Sequence, residues 1–316
     1  MTVASDTDTG EFLPMPPRAP ASPPEPISSR IEVDVAAATD TGRARANNED
    51  SFLVARVERA LHTVATNLPD GCVPERFAEV SYAMVVADGV GGGAAGEVAS
   101  RTALSTLVNL VLHTPDWIMR DGGAEAERLQ NRMIERYRQI GASIDDLSAG
   151  DPALTGMATT MTLAVSNGPD LFLTHVGDSR AYLYREGELF RLTHDHTYAQ
   201  ELADHGLIQQ HEVASHRLRH VLTRTLGPRG SEVQVDVRQL LLRDGDRLLL
   251  CTDGLTEMLP NEEIGNLLAS ESTASTICRS LIGAALAGGG KDNVTVVVAC
   301  YRFPTSPERD AVRPGL

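Results

Sequence analysis

Nine short runs of apolar or β-branched residues punctuate the chain: Val33–Thr39, Ser51–Arg56, Tyr82–Ala87, Ala158–Val165, Leu171–Val176, Arg180–Arg185, Val233–Leu240, Arg247–Thr252 and Val294–Tyr301. Each is short and lies among turn residues, so each predicts a strand. Longer segments carry helical spacing instead. Ala95–Leu112 places apolar residues at 99, 103, 107, 110 and 111, and Leu129, Met133, Tyr137, Ile140 and Ile144 form one stripe. A third helix is predicted over Ser272–Ala287. Two helices after the third strand, then more strands, do not alternate as βαβ units do. The pattern predicts an α+β sandwich with helices packed outside. Residues 57–80, with Pro69, Gly71 and Pro74, read as a loop, and the polar stretch 195–232 reads as a mobile or helical insertion.

The ends have a different composition. Seven of the 17 prolines fall between Pro14 and Pro26, so residues 1–30 are expected to be an unfolded lead and 304–316 a similar tail. Residues 31–303 are expected to form one domain. The formal charge of −15 over 316 residues argues against a nucleic-acid or anionic-membrane binder, which needs a basic footprint. No apolar run approaches the ~18 residues of a spanning helix, and the start of the chain has no secretory pattern. The cysteines Cys72, Cys251, Cys278 and Cys300 have no short pairing, which fits free thiols, core residues above all at Cys251 and Cys300, in a reducing cytoplasm.

The acids concentrate at the ends of the predicted strands. Asn-Asn-Glu-Asp (47–50) and Lys-Asp-Asn (291–293) precede strands, Ala-Asp-Gly (87–89) and Thr-Asp-Gly (252–254) end them, and Gly-Asp-Ser (177–179) lies between two. One Asp-Gly is ordinarily a turn. Five acidic motifs beside apolar strands are different. Carboxylates gathered at one end of a sandwich repel each other unless hard cations such as Mg²⁺ or Mn²⁺ neutralise them, and two such ions can clamp a phosphoryl group. Glycine after Asp88 and Asp253 allows tight turns.

Seven motifs in order carry a resemblance. They are Thr-Asp-Thr-Gly-Arg-Ala-Arg-Ala-Asn-Asn-Glu-Asp (39–50), Val-Ala-Asp-Gly-Val-Gly-Gly (86–92), Ala-Gly-Glu-Val-Ala-Ser (95–100), Gly-Met-Ala-Thr-Thr (156–160), His-Val-Gly-Asp-Ser-Arg (175–180), Thr-Asp-Gly-Leu-Thr-Glu (252–257) and Lys-Asp-Asn-Val-Thr (291–295). Over about residues 33–302 the chain resembles the metal-dependent Ser/Thr protein phosphatases (PPM, or type 2C) in their compact bacterial form. That resemblance implies a four-layer α-β-β-α sandwich with two central antiparallel sheets. It implies two Mn²⁺ or Mg²⁺ ions, with Asp88 shared, Asp253 and Asp292 completing one site, and Glu49 and the Gly89 carbonyl completing the other. Asp178 with Asp253 would hold a third, weaker ion. Asp50 would orient the attacking water, and Arg45 would pair with the substrate phosphate. The implied reaction is in-line attack of a dimetal-bound hydroxide on phosphoserine or phosphothreonine. The implied partners are phosphoproteins of a Ser/Thr kinase, met by a cytoplasmic monomer.

The chain departs from the family pattern at three places, one of them the connection over residues 57–80, which is longer than the resemblance leads one to expect. Val90 stands where some members place a histidine, which leaves the general acid unassigned, and Glu257 stands where an aspartate is usual. Six of nine histidines fall within 194–220. His194 and His196, with His205 or His211, are a candidate zinc set; the competing reading is a flap beside the substrate with merely exposed histidines. His-x-His brings both rings together only on a strand, and 195–207 reads as a helix start, which favours the flap.

Other classes fit less well. Gly89–Ala94 matches a dinucleotide-binding loop, but the acid expected about 20 residues later is missing. Gly290-Lys291 is followed by Asp292, unlike a nucleotide-triphosphate loop. No cysteine has arginine six residues on, and no Gly-x-Ser-x-Gly elbow occurs. A catalytically dead phosphatase fold acting as a binding module should have lost metal carboxylates, and here they all stand.

Overall fold

The computed structural model describes residues 26–91, 94–113, 124–227 and 233–304, with 124–129 as backbone only. The expected proline-rich lead (to residue 25), the tail from 305 and the Leu129 side chain lie outside the described residues. In chain order the elements are β1 (Glu32–Asp40), β2 (Asp50–His62), β3 (Arg76–Val90), α1 (Ala95–His113), α2 (Ala124–Gly150), β4 (Ala158–Thr159), β5 (Met161–Asn167), β6 (Asp170–Val176), β7 (Arg180–Arg185) and β8 (Glu188–Arg191). There follow α3 (Tyr198–Asp204), β9 (Asp236–Leu241), β10 (Arg247–Cys251), α4 (Asp253–Thr256), α5 (Asn261–Ala269), α6 (Ala274–Ala287) and β11 (Val294–Arg302).

One sheet runs β1-β11-β10-β7-β8 and the other β2-β3-β5-β6-β9, with β4 added to β3. The strand pairs are antiparallel throughout. Burial on both faces explains the nearly continuous apolar strands. On β11, Val294, Val296 and Val298 meet Ile277 and Leu281 of α6. The alternate residues Val297 and Ala299 face inward, with Met84 and Val86 of β3. On the far side Val85 and Ala87 pack beneath Ala99 and Ala103 of α1 and Tyr137 and Ile140 of α2. Three apolar layers therefore separate four structural ones, the α-β-β-α order implied by the motifs. The Tyr137 hydroxyl, held in this layer, donates to the Thr174 carbonyl at 3.2 Å and accepts from the Thr174 hydroxyl at 2.9 Å.

The structure corrects the reading of residues 57–80 as a loop. Strands β2 and β3 continue as one hairpin, with Val57 opposite Ser81 and His62 opposite Arg76. Only 63–75 connect them. The outer part of β2 is mostly exposed, and backbone pairing together with Arg59, which meets Glu79 and the Phe77 ring across the strands, holds it. Strand β8 and helix α5 also went unpredicted, being short. Ile27–Ser29 form a single 3₁₀ turn whose buried Ser28 accepts from the Val80 amide at 3.4 Å, so the described part of the expected lead is folded against β3.

Cutting the central layer should be costly. Leu250 on β10 is fully buried between the sheets. Leu250→Ala is expected to destabilise the fold by about 2–5 kcal/mol, read by urea unfolding. A loss below about 1 kcal/mol would show that this layer collapses around the deletion.

Candidate active site

Strand register brings the acidic motifs to one end of the sandwich. Asp50, first residue of β2, lies opposite Asp88 near the end of β3. Asp40 at the end of β1 pairs with Val294 at the start of β11, so Asp292 just precedes that same edge. Cys251 ends β10 opposite Val296, and Asp253 follows at once. Asp178 occupies the turn between β6 and β7. Five separate chain segments thus deliver carboxylates to one place.

Hydroxyls and amides fix their orientation. The Thr252 hydroxyl donates to Asp50 Oδ2 at 2.7 Å and accepts from the Thr295 amide at 3.0 Å. The Asp88 carbonyl accepts from the Thr160 amide and the Thr159 hydroxyl, and its amide donates to the Thr160 hydroxyl. The Asn293 side chain accepts from the Glu49 amide at 2.7 Å and donates to the carbonyls of Thr41 and Asn47. It therefore splices the 39–50 loop to the start of β11. Sequence reasoning assigned no role to Thr252, Thr160 or Asn293. The available signal was the place of Thr252 and Asn293 beside an acid in two of the motifs, while Thr160 lies in a motif without one.

The glycines serve close approach rather than turning. Gly89 and Gly254 both lack the positive φ of a left-handed turn. A Cβ on Gly254 would lie 1.9 Å from the Asn293 carbonyl oxygen, and one on Gly89 would lie 2.1 Å from that of Gly96. A Cβ on Gly96 would in turn meet the Gly89 carbonyl oxygen at 2.8 Å and the Glu49 carboxyl carbon at 2.9 Å. The two oxygen donors expected at one metal site therefore flank a single cradle that only glycine leaves open.

Like charges at this density disturb ionisation. Burial, then Asp50, Asp253, Asp178 and Asp292, pushes the Asp88 carboxyl well above the usual range. Burial, then Asp178, Asp292 and Glu257, does the same to Asp253. Asp50 and Asp178 are pushed up to about 7, chiefly by burial. Glu49 is raised by burial against the pull of Arg45. The buried Oδ1 of Asp50 has no hydrogen-bond partner. A divalent cation supplies what this set lacks, and its all-oxygen character suits Mg²⁺ or Mn²⁺. Cys251, the nearest buried thiol in sequence, is pushed up to about 12 by burial, which keeps it an inert core residue.

Arg45 stands at the rim, 53% exposed, with Nη2 donating to Asp292 Oδ2 at 2.6 Å. That contact is the main reason its pKa is raised. The expected phosphate-binding residue and an expected metal ligand are thus paired with each other. The candidate zinc set is not assembled. His194 bonds Asp204 at 2.7 Å, while His196 is buried, stacked on His175 with centroids 4.8 Å apart. His196 therefore also departs from the expectation of exposed histidines. Of the cysteines, Cys251 and Cys278 are buried, whereas Cys300 is only partly so; all four are free.

The sequence profile of the protein phosphatase 2C family matches residues 66–283. The chain belongs to the protein phosphatase 2C family. Across 265 residues, 84% of the chain, it is 38% identical to the serine/threonine protein phosphatase PstP of Mycobacterium tuberculosis, spanning 44% of that protein's length. It is 34% identical over 228 residues to the serine/threonine phosphatase stp of Listeria monocytogenes, covering 72% of this chain and 87% of that one. Among solved structures, Mycobacterium tuberculosis PstP superimposes with a TM-score of 0.68 at 36% identity, covering 86% of this chain and 99% of that one. The PstP catalytic domain in complex with two manganese ions matches at 0.67 and 35% identity, covering 86% and 99%. The fold of this 2C-family chain is thus that of metal-dependent phosphatases. No helix among its described residues is long and apolar enough to cross a membrane.

The raised carboxylates give a signed prediction. Acids that titrate near 7 when folded but near 4 when unfolded hold protons longer in the fold. Metal-free protein should therefore lose stability as pH rises from about 4 to about 7. Mn²⁺ should raise Tm more at pH 8 than at pH 5, relative to EDTA. Equal shifts at both pH values would show that the acids do not act as one cluster.

Proposed function

We propose that this chain hydrolyses phosphoserine and phosphothreonine in proteins, using two Mn²⁺ or Mg²⁺ ions with a third held by Asp178 and Asp253. The convergence of carboxylates from five chain segments on one sandwich end carries this reading. Asp88 would be shared, with Asp253 and Asp292 at one ion and Glu49 and the Gly89 carbonyl at the other. Bound cations supply Lewis-acid charge for phosphoryl oxygens and make water a stronger acid. The protein's own groups do the rest. Asp50, fixed through Oδ2 by Thr252, has Oδ1 free to take a hydrogen bond from the attacking water and orient it. Arg45 exchanges Asp292 for two phosphate oxygens, for which its planar fork is shaped. Val90 is exposed and offers no proton.

The phosphatase domain is placed at residues 31–303, with a flap over about 195–232. The four free cysteines fit a reducing cytoplasm, and the charge of −15 fits a soluble monomer that avoids nucleic acid. The partners are phosphoproteins of a Ser/Thr kinase that the enzyme opposes. The name and manganese content of PstP, a relative that the chain covers in part, support the same activity.

A phosphothreonine peptide should release phosphate with Mn²⁺ and not in EDTA; no release under any cation would favour a binding module. Asp253→Asn should lower kcat at least about 100-fold with folding intact, and retained turnover would refute its role. Arg45→Ala should raise KM about 10–150-fold, from the about 1.5–3 kcal/mol of a charge-assisted bond. Collapse of cation affinity instead would reassign Arg45.

A further inference from the structure

The flap contributes one group to the acidic end that the motifs do not account for. After the 3₁₀ turn Gln210–Ser215, the chain returns beneath α3. Its return is anchored by an antiparallel bridge between Thr197 and Leu222 and by the Tyr198 amide donating to the Val221 carbonyl at 2.9 Å. A tight turn just before this anchor, closed by the Val221 amide on the Leu218 carbonyl, presents His220. The imidazole lies against two carboxylates of the core. Its Nε2 is 3.0 Å from Glu257 Oε1, and its Nδ1 is 3.9 Å from Asp253 Oδ2. One donor atom from each of His220, Asp253 and Glu257 lies within 4.8 Å of the others. Together with Asp178, Val213 and Ala214 they line a cavity of about 240 Å³ between flap and core.

We propose that His220, Asp253 and Glu257 form a nitrogen-containing cation site that takes a first-row transition ion, such as Co²⁺, Mn²⁺ or Zn²⁺, in preference to Mg²⁺, and fastens the flap to the catalytic core. The donor spacing matches the chemistry. Donors about 2.1 Å from one ion stand about 3 to 4 Å apart. His220 is 45% exposed, so its ring has room to close the remaining distance. The charge also matches. Arg219 approaches Glu257 only to 3.9 Å, and Asp195 in the same cavity is taken by Arg180 and Arg191. Lys291 also lines the cavity, and of the two nitrogen groups paired with Glu257 the His220 imidazole, at 3.0 Å, stands closer than Arg219. Imidazole is a poor donor for Mg²⁺ and a good one for the later divalent ions. The residue at 257 acquires a purpose as well: the extra methylene of glutamate reaches toward the flap, where His220 waits. The inference deepens the third-cation reading and rests on it only through Asp253.

The test holds the full-length protein in excess Mg²⁺ and adds Co²⁺. Bound cobalt is counted by elemental analysis after dialysis, its visible spectrum is recorded, and flap cleavage by a protease is timed. Wild type should retain one Co²⁺ that Mg²⁺ does not displace, and that ion should slow cleavage within the flap. His220→Ala should weaken it by more than the about 10–100-fold that loss of an outer partner costs, and Glu257→Gln should weaken it too. Asp292→Asn, outside the proposed set, should keep it. Equal Co²⁺ affinity and spectrum in wild type and His220→Ala would overturn the site and leave His220 as an ion-pair partner of Glu257. Wild type that binds Mg²⁺ but no Co²⁺ beyond it would overturn this inference alone. Wild type that binds no divalent ion would overturn the catalytic reading with it.

Discussion

Repulsion between carboxylates that share a buried space is the constraint on which this structure turns. Burial first, and then the neighbouring acids, pushes the carboxyls of Asp50, Asp88, Asp178 and Asp253 above the usual range. A fold can carry such a group only if the rest of it is over-determined. Here two sheets with three apolar layers set the strand ends, and the strand ends set the acids. In the proposed function the cations that would relieve the repulsion would also serve the chemistry, so stability and activity would share one origin.

The site is rigid because its acids are held by backbone and by small polar groups. Thr252 and Thr295 link Asp50 to β10 and β11, and Thr159 and Thr160 clamp Asp88. Asn293 ties the loop between β1 and β2 to the start of β11. Glycine at 89, 96 and 254 lets these segments approach to distances that a Cβ would forbid. Arg45 is different, since it is half exposed and pairs with Asp292. An exposed cation at the rim above buried acids is an arrangement that suits the charged substrate of the proposed function.

The flap has its own polar interior. His175 and His196 stack in the core, where burial lowers His175 to about 3, and His196 stands 3.2 Å from Asp236. Arg224 donates to the same aspartate at 3.0 Å. A protein that spends buried histidines on anchoring this segment constrains where His220 can stand. The flap is thus joined to the core at its base as well as at the acidic edge.

The sequence by itself determined the layers and the acids. Val294–Tyr301 reads as a strand buried on both faces because every residue in it must be apolar or small, and the spacing from Met133 to Ile144 admits only a helix. The motif order, through the resemblance it carries, singled out Glu49, Asp50, Asp88, Asp178, Asp253 and Asp292 as candidates, because each stands in a short stretch of neighbouring residues. Tertiary structure alone decided what lies between distant segments. The hairpin arm of β2 and β3 alternates too irregularly between apolar and polar residues to announce itself, and its partner strands meet only through the fold's pairing. The Arg45–Asp292 contact joins residues 247 positions apart, and the approach of His220 to Glu257 depends on where the flap returns. No local pattern encodes either, because each arises from two strands of meaning that meet only when the sheets close.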